Sequence, residues 1–202
     1  MTRKIAILGW GSLLWHPHAA FESRHGEWRF DGPWLPLEFT RVSPASKGGL
    51  TLVIDPVHGH PTRTAYCLSK RDTADEARRD LQEREWAKSV DLIGCFERNA
   101  GASADPSGGV KAAIADWAAA KDFDAVVWTA YPANFHEKTG TEFSVAAAIA
   151  YLKALPGEDQ VRAVKYIHKA PPFIRTPLRT ALLQQDWFNR LAEEMQDLRS
   201  GP

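Results

Sequence analysis

The chain has 202 residues, and its 25 Lys and Arg are balanced by 25 Asp and Glu. That length builds one domain, or one domain with an appendage. The charge balance leaves no net field to attract nucleic acid or an anionic membrane, and no apolar run approaches the roughly 18 residues that a spanning helix needs.

In chain order, residues 4–8 form a first strand around the apolar run Ile5-Ala6-Ile7-Leu8. Residues 16–36 read as an irregular segment rich in Trp, His, Gly and Pro, whose aromatics (Trp15, Trp28, Phe30, Trp34) either wall a pocket or cap one end of a sheet. Residues 35–43 alternate apolar and polar with Leu35, Leu37 and Phe39 on one face. With residues 50–54 they are expected to form a hairpin across the turn-forming segment 44–49. Residues 63–68 are the next strand. Thr73-x-x-Glu76 is a capping box that starts a helix running to about Trp86.

Residues 90–95 read as a strand, 99–109 as a loop, and Val110, Ile114, Trp117 and Ala118 as a helical stripe. A short strand follows at 125–130, a loop at 132–140, an alanine-rich helix at 143–155 and a short helix around 161–168. Thr176-Pro177 caps a last helix whose stripe is Leu178, Leu182, Leu183, Trp187, Leu191, Met195 and Leu198. Trp117, Trp128 and Trp187 are expected in the core. The fold class is α+β, with a mixed or antiparallel sheet and surrounding helices. Cys67 and Cys95 match no Cys-x-x-Cys spacing and read as two reduced thiols. The N-terminal basic residues precede too short an apolar run for a signal peptide. A cytoplasmic protein is expected.

Two places carry chemistry. The first is Gly9-Trp10-Gly11-Ser12-Leu13-Leu14-Trp15, where two glycines break the first strand. Such a turn can present N–H groups to an anion, or simply turn tightly. It is no dinucleotide fingerprint, because Leu14 stands where the third glycine belongs, and no Gly-Lys-Ser/Thr follows to make a phosphate loop. The second place is Glu85. At about 100° per residue, Ala74, Ala77, Leu81 and Glu85 fall within one arc, so this carboxylate rides on the apolar side of its helix. A buried carboxylate is paired or has a raised pKa, and the latter suits a general acid or base. Arg41, Arg63 or another arginine is the alternative, purely structural, partner.

The phrase from Ile7 to Trp15 resembles the Y-G-S-L signature of the gamma-glutamylcyclotransferase-like superfamily, and most nearly the glutathione-degrading branch, F-G-Y-G-S-L-x-W. Leu81-Gln82-Glu83-Arg84-Glu85 resembles that branch's L-D-x-R-E segment, whose final Glu is catalytic. Residues 39–43, 50–53 and 126–130 stand where the family has further strands, so the resemblance spans roughly residues 4–131. It implies a small barrel-like sheet with residues 1–131 as the cyclotransferase-like core and 132–202 as a helical extension.

It also implies conversion of a gamma-glutamyl amide to 5-oxoproline and a released amine. Glu85 is then the acid/base, and Gly9, Trp10, Gly11, Ser12 and Leu13 bind the substrate. Backbone N–H groups of Gly11, Ser12 and Leu13 stabilise the oxyanion. No metal or organic cofactor is called for. The partner is a small molecule, with no nucleic acid, no membrane, and a homodimer as the candidate oligomer. The chain departs from the family where Trp10 replaces the usual Tyr and where Trp86-Ala87-Lys88-Ser89 replaces a G-G-Y-type continuation, which is expected to reshape the pocket.

Three other readings compete. One is a non-catalytic relative in which Glu85 recognises the amine of a metabolite. Another is a metal hydrolase on His16-x-His18 or His58-x-His60. The third is a Ser12 nucleophile, although the final glycine of a G-x-S-x-G elbow is absent.

Overall fold

The computed structural model describes residues 3–99 and 109–197, with side chains up to residue 193. The elements are β1 (Ile5–Gly9), α1 (Ala19–Glu22), β2 (Trp34–Val42), β3 (Leu50–Ile54), β4 (His60–Arg63), β5 (Ala65–Leu68), α2 (Ala74–Arg84) and β6 (Ile93–Glu97). There follow α3 (Val110–Ala120), β7 (Ala125–Thr129), α4 (Phe135–Thr139), α5 (Val145–Ala154), α6 (Gly157–His168), α7 (Pro177–Leu182) and α8 (Asp186–Asp197). The class is α+β, as expected. The strands form two sheets, ordered β5-β1-β7-β6 and β3-β2-β4. By internal contacts the chain divides into two units, Met1–Pro36 with Pro61–Tyr131 and Leu37–His60 with Pro132–Pro202.

The first unit is built on the four-stranded sheet. β1 pairs parallel with β7 and antiparallel with β5, and β6 pairs antiparallel with β7. Side chains alternate along β1. Ile5 and Ile7 join Leu81, Ala77 and Ala74 of α2 in one core. Leu8 faces the other way and lies opposite Tyr66 in the ladder. There Tyr66, Trp117 and Phe123 pack edge to face or tilted, with centroids 5.0–5.5 Å apart. Trp117 and Trp128 therefore belong to the packing of this unit, with Trp128 lying flat over Gly94 across the β6–β7 ladder.

The closed barrel implied by the resemblance is not formed by the described residues, which make two open sheets. The reason lies at the outer edge of β5. Residues 26–33 cover it with scattered bonds: Gly26 N–H to the Leu68 carbonyl (2.8 Å), Arg29 and Tyr66 exchanging N–H bonds (2.7 and 2.8 Å), and Gly32 N–H to the Thr64 carbonyl (3.0 Å). Pro33 has no N–H to extend this into a ladder. The predicted strand 63–68 is split for a related reason. Thr64 turns its N–H and hydroxyl to the Pro33 carbonyl, at 3.1 and 2.8 Å, and this divides β4 from β5.

The second unit starts with the predicted hairpin. β2 and β3 pair antiparallel with a register shift between Glu38 and Arg41, and the turn places Lys47 and Gly48 at positive φ. Both faces of β2 are covered. Leu37 and Phe39 are buried as predicted, but so are Glu38 and Thr40. Glu38 is anchored: its carboxylate accepts the N–H of Leu178 at the start of α7 (3.1 Å) and its own neighbour Phe39 N–H (2.8 Å). Burial raises its pKa although these donors oppose the shift. Arg179, also buried, donates to the carbonyls of Pro171, Ile174 and Ala170 and so ties off the segment before α7.

Other departures are local. Ser89 Oγ accepts Asp91 N–H (3.2 Å) and makes a 3-10 turn of Val90–Leu92, so the strand expected at 90–95 starts at Ile93. The expected loop 132–140 contains α4, closed by Gly140 at φ +69. The single last helix is two helices, because i→i−3 bonds at Gln184 and Gln185 end α7 and Phe188 N–H bonds back to Gln185 to begin α8. Leu183 is thereby turned out, 39 % exposed, while Phe188 is fully buried. Trp187 is half-buried beside Lys153 rather than in the core. The 99–109 loop, apart from its ends, and the side chains of Met195 and Leu198 lie outside the described residues.

Replacing Glu38 with Ala strands two buried N–H donors. Unfolding free energy from urea titration is expected to fall by about 1–3 kcal/mol.

Candidate functional site

The glycine turn is made by sterics. Gly9 ends β1, and a Cβ there would overlap the Trp28 ring, which joins the same core. Gly11 sits at φ +67, a left-handed conformation that a side chain disfavours. Residues Gly11–Leu14 then form a 3-10 turn whose N-cap, Trp10, offers no side-chain bond. The first N–H groups of such a turn have no partner within it. Trp10 and Leu13 are each 4 % exposed, and Leu13 packs with Leu81 and Ala77 of α2. Their rings and methyls therefore build the core, which leaves the backbone as the part of Trp10 and Leu13 that could serve a site. The aromatic segment divides: Trp28 closes over Gly9, whereas Phe30 and Trp34 are 57 % and 58 % exposed.

Helix α2 begins at the expected capping box. Thr73 Oγ1 accepts Glu76 N–H (3.3 Å), and the Glu76 carboxylate accepts Thr73 N–H (3.2 Å). Its other end is a Schellman turn: Ala87 N–H bonds the Gln82 carbonyl (3.0 Å) and Trp86 N–H the Glu83 carbonyl (3.2 Å). Glu85 is the C-cap, one residue past the helix. Trp86 occupies the left-handed position of this turn at φ +52, where glycine is usual, and its ring is 83 % exposed. The Trp86 side chain thus stands in solvent, while Ala87 is buried in the core with Leu81 and Ala77.

Glu85 itself is turned inward, with a side chain 18 % exposed. Oε1 is buried without a hydrogen bond. Burial pushes its pKa up, and the adjacent Arg84 pulls it partly back. The structural partner is therefore Arg84, not Arg41 or Arg63. Arg84 Nη1 lies 3.6 Å from Glu85 Oε1, while Nη2 donates to the carbonyls of His16 (2.7 Å) and Ser12 (3.3 Å). One guanidinium thus touches the carboxylate and the glycine turn, which are far apart in sequence. Tyr131 adds a bond from its hydroxyl to the Glu85 carbonyl (3.3 Å). Sequence reasoning missed Arg84 and Tyr131. The signal for Arg84 was its place beside Glu85 in the last turn of an amphipathic helix.

The competing readings find less. Ser12 Oγ makes no hydrogen bond to an imidazole or carboxylate among the described residues. No group of three or more His, Cys, Asp or Glu is placed to hold a metal ion among them. Cys67 and Cys95 are free thiols, both raised in pKa by burial, Cys95 to about 11, so neither is an activated nucleophile. No helix is long and apolar enough to cross a membrane. No protein-family model, curated protein or solved structure matches the chain.

Two stability outcomes follow. Because the folded-state pKa of Glu85 is raised, its contribution is most favourable below the unfolded pKa and is lost as pH rises through the folded value. Glu85→Gln should therefore melt higher than wild type at neutral pH, and the gap should close in acid, as differential scanning fluorimetry across pH would record. Trp86→Gly should gain about 1 kcal/mol in urea unfolding by relieving the left-handed tryptophan.

Proposed function

We propose that this chain is a gamma-glutamylcyclotransferase-like enzyme that converts a gamma-glutamyl amide to 5-oxoproline and a free amine. The observation that carries the reading is the Glu85 carboxylate. It is buried, raised in pKa, without a hydrogen bond at Oε1, and joined through Arg84 to the glycine turn. These are the two segments that resemble the family's signatures.

In this reading the substrate's α-amine attacks its own γ-carbonyl carbon. A carbon–nitrogen bond closes the five-membered lactam and the original amide bond breaks. Glu85 takes the proton from the attacking nitrogen and delivers it to the leaving one, a task for which a carboxylate with a raised pKa is matched. Charge developing on the carbonyl oxygen is met by N–H groups at the start of the Gly11–Leu14 turn. Arg84 holds the carbonyls on the far side of that turn, which keeps its donors fixed. The reacting groups belong to one molecule, so most of the remaining acceleration comes from the folded pose in which the site holds it. Trp10 supplies no hydroxyl, and the reaction as drawn asks for none.

The test is 5-oxoproline production, measured by mass spectrometry, from a panel of gamma-glutamyl amines, gamma-glutamyl amino acids and glutathione. Wild type should release 5-oxoproline, and Glu85→Gln should lose at least about 100-fold in kcat while remaining folded. Turnover that survives Glu85→Gln removes the proposed base. Saturable binding without turnover in wild type points instead to a metabolite-binding relative.

A further inference from the structure

The second unit contains a cavity of about 240 Å³ with a chemistry unrelated to Glu85. Asp55 lies at its floor, 2 % exposed. Burial alone would raise this carboxyl, but the N–H groups of His58 and Val57, together with Thr40 and the His58 ring, hold it below its ordinary pKa. Those bonds, 3.0 and 2.9 Å, go to Oδ1. Oδ2 is left facing His58 Nδ1 at 3.3 Å. A carboxylate at Nδ1 selects the tautomer with its proton there and leaves the Nε2 lone pair as an acceptor. The ring is held on its other side by Phe143, 5.2 Å between centroids.

A second carboxylate–imidazole pair stands on the same cavity. His136 Nδ1 is 3.1 Å from Glu142 Oε1, at the rim. Glu137 lines the rim as well, and neither Lys nor Arg does. Glu137 is already paired with Lys138 at 2.6 Å, so Asp55 and Glu142 are the carboxylates that face the two imidazoles, and the cavity is electronegative whenever the imidazoles are neutral. Thr40 and Asn134 also line it, and the rest of the wall is apolar, chiefly Phe135, Phe143 and Val57. Anions are repelled by such a lining. A neutral apolar molecule would leave its polar groups without partners. A positively charged nitrogen on a small hydrocarbon body satisfies both halves.

We propose that this cavity binds a small organic ammonium ion. Its N–H donates to His58 Nε2, its charge is met by the Glu142 carboxylate, and its hydrocarbon lies against Phe143 and Val57. The aromatic face adds attraction for the cation. Asp55 acts at one remove, as the positioning residue that fixes the His58 tautomer.

The experiment titrates the full chain at neutral pH with benzylammonium, benzyl alcohol and benzoate, following the His58 imidazole and Phe143 ring signals by NMR. Benzylammonium should shift both saturably. Benzyl alcohol should bind at least roughly ten-fold more weakly, for loss of the ionic and cation–aromatic contacts, and benzoate should cause no saturable shift. His58→Gln and Glu142→Gln should each weaken benzylammonium several-fold. Glu142 has a side chain 81 % exposed, so its variant tests the site without threatening the fold. Equal binding of the amine and the alcohol, unchanged affinity in both variants, or no saturable shift with benzylammonium would overturn the proposal.

Discussion

The Arg84 guanidinium is the point on which the candidate site turns. A cation with a side chain only 11 % exposed needs acceptors, and Arg84 finds the carbonyls of Ser12 and His16 and the carboxylate of its own neighbour, while its Nε is left without a partner. The arrangement works in both directions. The turn is stapled to α2, and Glu85 is given enough positive charge to be tolerated indoors without being fully neutralised. A closer, bidentate pair would have held the carboxylate ionised and made it a poor base. At 3.6 Å, with no hydrogen bond to Oε1, burial outweighs attraction and the carboxylate stays easy to protonate.

Much of this was legible because it obeys local rules. The first strand, the glycine turn, the capping box at Thr73 and the hairpin of β2 and β3 each follow from a short stretch and its immediate chemistry. The inward placement of Glu85 followed from periodicity with Ala74, Ala77 and Leu81. What escaped the reading depended on partners or on a rule locally broken. Helix α2 stops at Arg84, but the residue marking the stop is a tryptophan where glycine is the recognisable signal. The burial of Glu38 was hidden because its partner, the start of α7, lies 140 positions later. The split between β4 and β5 depends on the Pro33 carbonyl reaching Thr64, which no run of hydrophobicity records.

Open sheets instead of a barrel have a similar origin. The segment before β2 has the length to complete another strand beside β5, and it makes several of the necessary bonds. Its bonds are scattered and Pro33 at its end has no N–H, so it covers the edge without continuing the sheet. A covered but irregular edge still protects against strand addition by another chain, while freeing Trp28 to close over Gly9.

Each unit is stitched from two stretches of chain, and this sets an order of events during synthesis. Strand β1 emerges from the ribosome first but sits between β5 and β7, and its parallel partner β7 is translated more than a hundred residues later. The hairpin of β2 and β3 waits longer, since the helices that share its unit all follow Pro132. For most of translation Leu37, Phe39, Leu50 and Leu52 are therefore out of the tunnel without the helices that will cover them. A break in the polypeptide after Tyr131 would leave the first unit with all its segments and the hairpin without its helices.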